Sequence, residues 1–242
     1  MAYVFDNIEV EYHFLSRTTF VTGKKFEFEK KDKFSASQTD KGYLFTMYGP
    51  YDESVRGGSV DGMYQPEIDF GKTLYPMRLK VSNEGVMLGV DNIEEVRKQW
   101  RGKADGIEAS YGYAPVVMAL SRQYERALNG DSFFTETLPN NIFYRLMFWN
   151  KERIGDPIVI SHFPSPYRMA SYYFEEKSGE GKTAHYEAEE VTDEGSGNLL
   201  SGVARLDFSY APDGLPQEIK LWTKMEEKDT GYFFHEVIIN RL

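Results

Sequence analysis

The sequence predicts an α+β protein: a large, curved, antiparallel sheet, half-barrel or open barrel in form, with a central helical insertion packed on its concave face. Three observations predict it. Residues 1–91 and 157–242 alternate apolar and polar side chains with the period of two of a half-buried strand. Residues 92–150 change to the 3.6-residue period of amphipathic helices. The 17 Phe and 17 Tyr suit pleated sheets, where flat rings pack across strands. Strand block, helical block and strand block in succession indicate an antiparallel meander rather than alternating βαβ units. A chain of 242 residues with one such plan reads as a single domain, ample to bury a core without a metal or disulfide.

The N-terminal block opens with Ile8, Val10, Tyr12 and Phe14 alternating with Glu9, Glu11 and His13. Phe26 and Phe28 alternate with Glu27 and Glu29 in a second strand, and Tyr43, Phe45 and Met47 share one face of a third. The glycine-rich stretch 49–72 lacks periodicity and reads as a long loop, a common place for binding elements. Met77, Leu79 and Val81 form a strand whose Arg78 and Lys80 face water. The turn Ser82-Asn83-Glu84-Gly85 sends the chain back through Val86, Leu88 and Val90.

Asp91 and Glu94 form a capping pair for a helix carrying Ile93, Val96 and Trp100, with Gly102 and Gly106 predicted to end it. Pro115 fits the first turn of a second helix that carries Val117, Leu120, Tyr124 and Leu128 inward and stops at Asn129-Gly130. Asp131 or Ser132 caps a short following helix. Asn140 or Asn141 caps another, with Ile142, Phe143, Leu146 and Met147.

The run 158–163, apolar at Ile158, Val159, Ile160 and Phe163, predicts a strand buried on both faces. Strands at 168–176, 183–192, 200–210, 218–225 and 232–240 follow, separated by turn sequences such as Ala211-Pro212-Asp213-Gly214.

Composition narrows the function classes. A formal net charge of −10 repels a phosphate backbone, which argues against nucleic-acid binding. Lys24, Lys25, Lys30, Lys31 and Lys33 interleave with Glu27, Glu29 and Asp32, so that group reads as a mixed-charge solvated face. The absence of cysteine removes disulfides, thiolate metal sites and cysteine nucleophiles. No apolar run reaches membrane-spanning length. The first residues carry no signal-peptide pattern, which points to the cytoplasm if Met1 is the natural start; a removed signal would point to the periplasm or cell surface.

Motifs that carry chemistry are weak. His235-Glu236 begins an HExxH pattern, but Ile239 stands where the second histidine belongs. Gly71-Lys72-Thr73 and Gly181-Lys182-Thr183 lack the earlier glycine of a phosphate loop; Pro66 and Glu176 occupy those positions. Gly58-Ser59-Val60-Asp61-Gly62 is not a Gly-x-Ser-x-Gly elbow. Paired carboxylates such as Glu189-Glu190 and Glu226-Glu227 are what an acidic surface scatters, and sequence spacing does not report their separation. No metal, cofactor or catalytic residue is assigned.

In outline this plan resembles the half-barrel of lipoprotein-localisation factors and related lipid-carrying lipoproteins. The shared pattern is long antiparallel strands, turns such as those at 82–85 and 211–216, and apolar helices between strand blocks. The resemblance implies a curved sheet closed by helices, an apolar ligand, and no catalysis. It carries no diagnostic motif, so no functional residue transfers.

The expected function is that of a non-catalytic interaction or assembly protein with a protein partner. The alternatives are a carrier of an apolar small molecule between sheet and helices, and a hydrolase using carboxylates or a pair such as His185 with Glu187. Candidate contact residues are Tyr48, Tyr51, Met63 and Tyr64 in the glycine-rich loop around Tyr48 to Tyr64, because aromatic side chains are favoured at interfaces. Trp100, Phe143 and Met147 in the helical block are the candidate lining of an apolar cavity.

Overall fold

A computed structural model describes residues 3–57, 64–130, 138, 141–148, 158–160, 170–180, 182–193, 201–227 and 231–242. Within them the strands are β1 Asn7–Thr19, β2 Lys25–Thr39, β3 Gly42–Arg56, β4 Met77–Val81, β5 Met87–Val90, β6 Ile158–Ile160, β7 Ala170–Glu180, β8 Thr183–Asp193, β9 Gly202–Tyr210, β10 Pro216–Glu227 and β11 Gly231–Arg241. The helices are α1 Tyr64–Lys72, α2 Ile93–Ser110, α3 Pro115–Asn129 and α4 Ile142–Met147.

The strands form one open, curved sheet in the order β5-β4-β3-β2-β1-β11-β10-β9-β8-β7-β6, with every neighbouring pair antiparallel. The chain therefore starts at the middle of the sheet and walks strand by strand to one edge. It passes through the helical block, re-enters at the opposite edge and walks back, so that β11 closes against β1. Each step but two is a short antiparallel connection, the arrangement an alternating sequence encodes most directly. The α+β class and the placement of the helical block agree with the expectation.

One continuous core lies against the inner face. Val10, Tyr12 and Phe14 of β1, Phe34 and Ala36 of β2, and Tyr43, Phe45 and Met47 of β3 belong to it. So do Met77, Leu79 and Val81 of β4, Val96 and Trp100 of α2, and Phe143, Leu146 and Met147 of α4. The ring contacts Phe14–Phe143 at 6.2 Å and Phe45–Phe148 at 5.1 Å tie α4 and the residue that follows it to the sheet. The outer face carries ion pairs between strands, including His13–Glu29, Arg17–Glu27 and Arg205–Glu187.

Several expectations are corrected. The long loop at 49–72 is mostly regular: β3 continues to Arg56, and α1 begins at Tyr64. Glycine and proline at 49–50 hid the strand, which accommodates them with register shifts against β2. The second strand runs ten residues beyond Glu29, to Thr39. The charged group around Lys30 is not all solvated. Lys31 and Lys33 reach outward to Asp52 and Glu9, whereas Lys30 and Asp32 share the parity of Phe34 and are turned inward.

In β5 a register shift opposite Lys80 and Val81 places Met87 and Val90 on the core and leaves Leu88 53% exposed. α2 passes through Gly102 and Gly106, because neither glycine is needed for a turn and the buried positions Val96, Trp100 and Ala104 hold the helix in place. Its N-cap is Asn92, whose carboxamide oxygen accepts from Arg78 N at 2.8 Å and whose Nδ2 donates to Pro76 O at 3.0 Å. β6 is an edge strand paired with β7, and its Ile160 is buried; the rest of the run 158–163 expected to be covered on both faces has no described side chain. The capping expectation at Asp131 or Ser132 lies outside the described residues. Asn141 does cap α4, its side chain accepting from Phe143 N at 3.1 Å.

Candidate functional site on the inner face of the sheet

Strand parity and register set out the inner face as transverse rows. One row runs Ala184, Phe208, Ile219, Ile239, Phe14 and Lys30 from β8 across to β2. The next runs Tyr186, Leu206, Leu221, Val237, Ser16 and Phe28. The third runs Ala188, Ala204, Thr223, His235, Thr18 and Phe26. Large and small side chains alternate over this face: Phe34, Phe45, Met47, Met77 and Leu79 are buried on β2–β4 with Ala36, and Tyr172, Phe174, Tyr186 and Phe208 are buried on β7–β9 with Ala170, Ala184, Ala188 and Ala204. Such interdigitation fills a core to native density.

Two polar groups interrupt this apolar surface. The first lies beneath α4. Lys30 Nζ sits 2.8 Å from Asp32 Oδ2, with the rings of Phe14 and Phe143 at 5.4 and 4.8 Å from the ammonium. Asp32 is 3% exposed, so its charge needs the nearby cation. Alongside, the hydroxyls of Tyr75 and Tyr144 are 2.7 Å apart. Burial, with the Asp32 charge a lesser contribution, raises the ionisation of Tyr75, and burial does the same for Tyr144, so both stay neutral phenols near neutral pH.

The second polar group is the middle of the third row. His235 Nδ1 lies 2.8 Å from Thr18 Oγ1, and Nε2 lies 3.2 Å from Ser16 Oγ. Burial lowers the pKa of His235 from 6.5 to about 3, so the ring is neutral in ordinary buffers. A neutral imidazole has one donor and one acceptor nitrogen, and a hydroxyl on each side matches both. Thr223, opposite His235 on β10, is wholly buried; its Oγ1 completes no hydrogen bond of good geometry, and the Tyr172 phenol is its polar neighbour.

The sequence candidates separate. Tyr48 and Tyr51 are on β3, on the outer side, 50% and 40% exposed; the Tyr48 hydroxyl lies 2.9 Å from Ser35 Oγ. A hydrogen bond to Glu11 raises the ionisation of Tyr51. Met63 lies outside the described residues, and Tyr64 is the first residue of α1. Trp100, Phe143 and Met147 are buried in the core, and Trp100 Nε1 has no hydrogen-bond partner among the described residues. The candidate list thus spans both sides of the sheet and makes no single site. Sequence reading missed Lys30, Asp32 and His235. Parity was the available signal: Lys30 and Asp32 are in phase with Phe28 and Phe34, and His235 with Val237 and Ile239.

His185 and Glu187 do come together, at 3.3 Å through Nε2, while Nδ1 lies 2.5 Å from Asp207. Both carboxylates raise the pKa of His185, Asp207 most. Ser178 is opposite His185 on β7, so Ser178, His185 and Asp207 align across three strands. The resemblance to a nucleophile triad ends there, because Nε2, the nitrogen that would take a serine proton, faces Glu187. Among the described residues no group of three or more His, Asp or Glu is placed to hold a metal. An open groove of about 440 Å³ between α1 and α2, lined in part by Lys72, Gly102, Lys103 and Gly106, lies apart from these rows. Among the described residues no helix is long and apolar enough to cross a membrane.

No family model matches this chain, and no curated protein matches it in sequence. Among solved structures it is similar to lipovitellin, studied for its lipid–protein interactions, at 10% identity and a TM-score of 0.41. That likeness covers 99% of this chain and 25% of the other, so this chain spans about a quarter of the neighbour. At that score the likeness carries no argument, and no comparison supports the expected likeness to lipoprotein-localisation factors.

Proposed function

We propose that this protein is a non-catalytic binder of an apolar or amphipathic small molecule, held against the inner face of β7–β10. One observation carries this reading: the inner face of β7–β10 is apolar over most of its area, with Tyr172, Phe174, Tyr186, Phe208, Ile219 and Leu221 buried among the alanines of β7–β9 and few polar groups between them. Apolar area on a concave face, with a few placed polar groups, is the usual make-up of a small-molecule site. The experiment is native mass spectrometry of protein purified without detergent, followed by titration with the neutral apolar fluorophore N-phenyl-1-naphthylamine. Bound lipid-sized mass, or saturable fluorophore binding at one site, supports the reading. A ligand-free protein that takes up no fluorophore overturns it.

A second reading, docking of a protein partner, is favoured by the exposure of Tyr48 and Tyr51 on the outer side of β3. It predicts that the Y48S/Y51S variant loses a partner or an oligomeric state that the parent has, while its fluorophore binding stays unchanged.

A further inference from the structure

We infer that the β8–β9 seam is where the sheet opens to admit a ligand to the inner face of β7–β10, and that His185 is the pH-controlled clasp of that seam. This rests on the apolar-binding reading above for what enters, and adds how entry is regulated. Tyr186, Leu206, Phe208 and the alanines beside them are buried and packed, so a ligand reaches that face only when part of the fold moves. Among the described residues β6, β7 and β8 are hydrogen-bonded to the rest of the sheet through β9 alone. That pairing runs from Thr183–Ser209 to Ala188–Ala204 and stops, although β8 continues to Asp193. The pairing of β10 with β11 is longer, from Glu218–Asn240 to Glu227–Gly231. The short seam is the weaker boundary.

Charge ties the outer side of the seam. His185 Nδ1 lies 2.5 Å from Asp207 Oδ1 across it, and Nε2 lies 3.3 Å from Glu187 Oε1. Glu187 Oε1 in turn lies 3.6 Å from Arg205 Nε, back across the seam. Asp207, His185, Glu187 and Arg205 thus alternate in sign over two strands. Carboxylate oxygens only accept, and a neutral imidazole donates from one nitrogen. With a carboxylate at each nitrogen, the arrangement is complete only when the ring is an imidazolium. Deprotonation turns one contact into facing lone pairs and leaves a negative charge unbalanced.

The other charged groups facing this network are engaged within their own strands. On β7, Ser178 is opposite His185 and Glu175 opposite Glu187, and Lys177 pairs with Glu175 at 3.2 Å. On β8, Glu189 follows Glu187 with the same parity. On β10, Lys220 is opposite Asp207 and pairs with Glu218 at 2.8 Å. Among the described residues, the ion pairs that cross the seam are therefore His185–Asp207 and Arg205–Glu187. Asp207 most, and Glu187 with it, raise the pKa of His185 from 6.5. The tie is fully present below 6.5 and is lost as pH rises through the raised value. Arg205–Glu187 persists at either pH, so the seam loosens rather than separates.

The test follows hydrogen exchange at the amides of 183–188 and 204–209 in the full chain at about pH 6 and about pH 8.5, corrected for the intrinsic pH dependence of exchange, beside the rate of N-phenyl-1-naphthylamine uptake. The parent is compared with His185→Arg and His185→Gln; arginine is charged at both pH values and glutamine at neither. In the parent, protection of the seam should fall about two- to fivefold from the lower to the higher pH, the range a partly exposed ion pair supplies, and fluorophore uptake should quicken by about the same factor. H185R should stay protected and slow at both pH values, and H185Q loosened and fast at both. Parent protection that does not change with pH, or that changes as much in H185Q, overturns the clasp. A seam that responds while uptake does not overturns the seam as the entry route. A parent that binds no fluorophore overturns the apolar-binding reading and the entry role with it, while the exchange data still decide the clasp.

Discussion

Phe143 of α4 meets Phe14 of β1 edge to face, with ring centroids 6.2 Å apart at 72°, and the Lys30 ammonium stands within 5.4 Å of both rings. This is where the helical block grips the middle of the sheet. β1 is the first strand laid down and the one on which the C-terminal strand β11 closes, so a contact from α4 to β1 joins all three blocks of the chain.

Phe143→Ala should therefore cost about 3–5 kcal/mol of stability, the range for emptying a buried phenylalanine. Phe143→Leu, which keeps most of the volume, should cost less. Urea unfolding followed by tryptophan fluorescence measures both. A loss below about 1 kcal/mol for the alanine variant would mean that α4 contributes little to the core.

The Lys30–Asp32 pair should show strong coupling. Removing one partner leaves the other charge inside an apolar layer, at a cost of about 3–5 kcal/mol, so Lys30→Met and Asp32→Leu should each be severely destabilising. The double variant should recover most of that loss, because two apolar side chains of similar volume leave no charge behind. A double-mutant cycle by chemical denaturation checks this. Additive losses would show that the two side chains do not depend on each other.

His235 should make the protein acid-sensitive. Its folded pKa is lowered from 6.5 to about 3 by burial. The unfolded chain therefore binds a proton that the folded chain refuses, and the neutral imidazole's contribution is fully present above pH 6.5. It is lost as pH falls through 6.5 toward the folded value, at up to about 1.4 kcal/mol per pH unit. Stability measured from pH 7 to pH 4 should fall with that slope, on top of carboxylate contributions, and His235→Gln should remove it. An unchanged slope in the variant would assign the acid response to other groups.

Two glycines should respond in opposite directions. Gly42 opens β3 at φ +137°, and a Cβ there would lie 2.2 Å from Val81 O, within the β3–β4 pairing. Gly42→Ala must break that approach and strain the backbone, so a loss of several kcal/mol is expected. Gly102 is inside α2, and a methyl group added there would meet nothing within 4 Å, so Gly102→Ala should stabilise by about 0.5–1 kcal/mol. Thermal denaturation of the two variants beside the parent is sufficient. A stabilised Gly42→Ala would contradict the β3–β4 register.

Much of the fold was legible because parity and period are local. Val10, Tyr12 and Phe14 identify an inward face without reference to any other strand, and Pro115 to Leu128 describes a helix face by itself. The site was less legible, since Lys30, Asp32 and His235 look like solvated residues until their parity is compared with Phe34, Val237 and Ile239. Where the reading failed, a neighbour overrode a local preference: Gly102 and Gly106 did not end α2 because Trp100 and Ala104 are held in the core, and the glycine at 49 did not end β3 because β2 continues to pair with it.

By itself, then, the sequence determined most of the strands and helices, though not α1 or the end of β3, which side of most strands faces the core, and that the main helical block falls between two strand blocks. Only the tertiary structure decided that β11 pairs with β1 and that Thr223, His235 and Thr18 stand in one row. The physical reason is that alternation specifies a face but not a neighbour. Thr18 and His235 are separated by 217 positions in the chain, and their adjacency follows from a register that the whole sheet must satisfy at once.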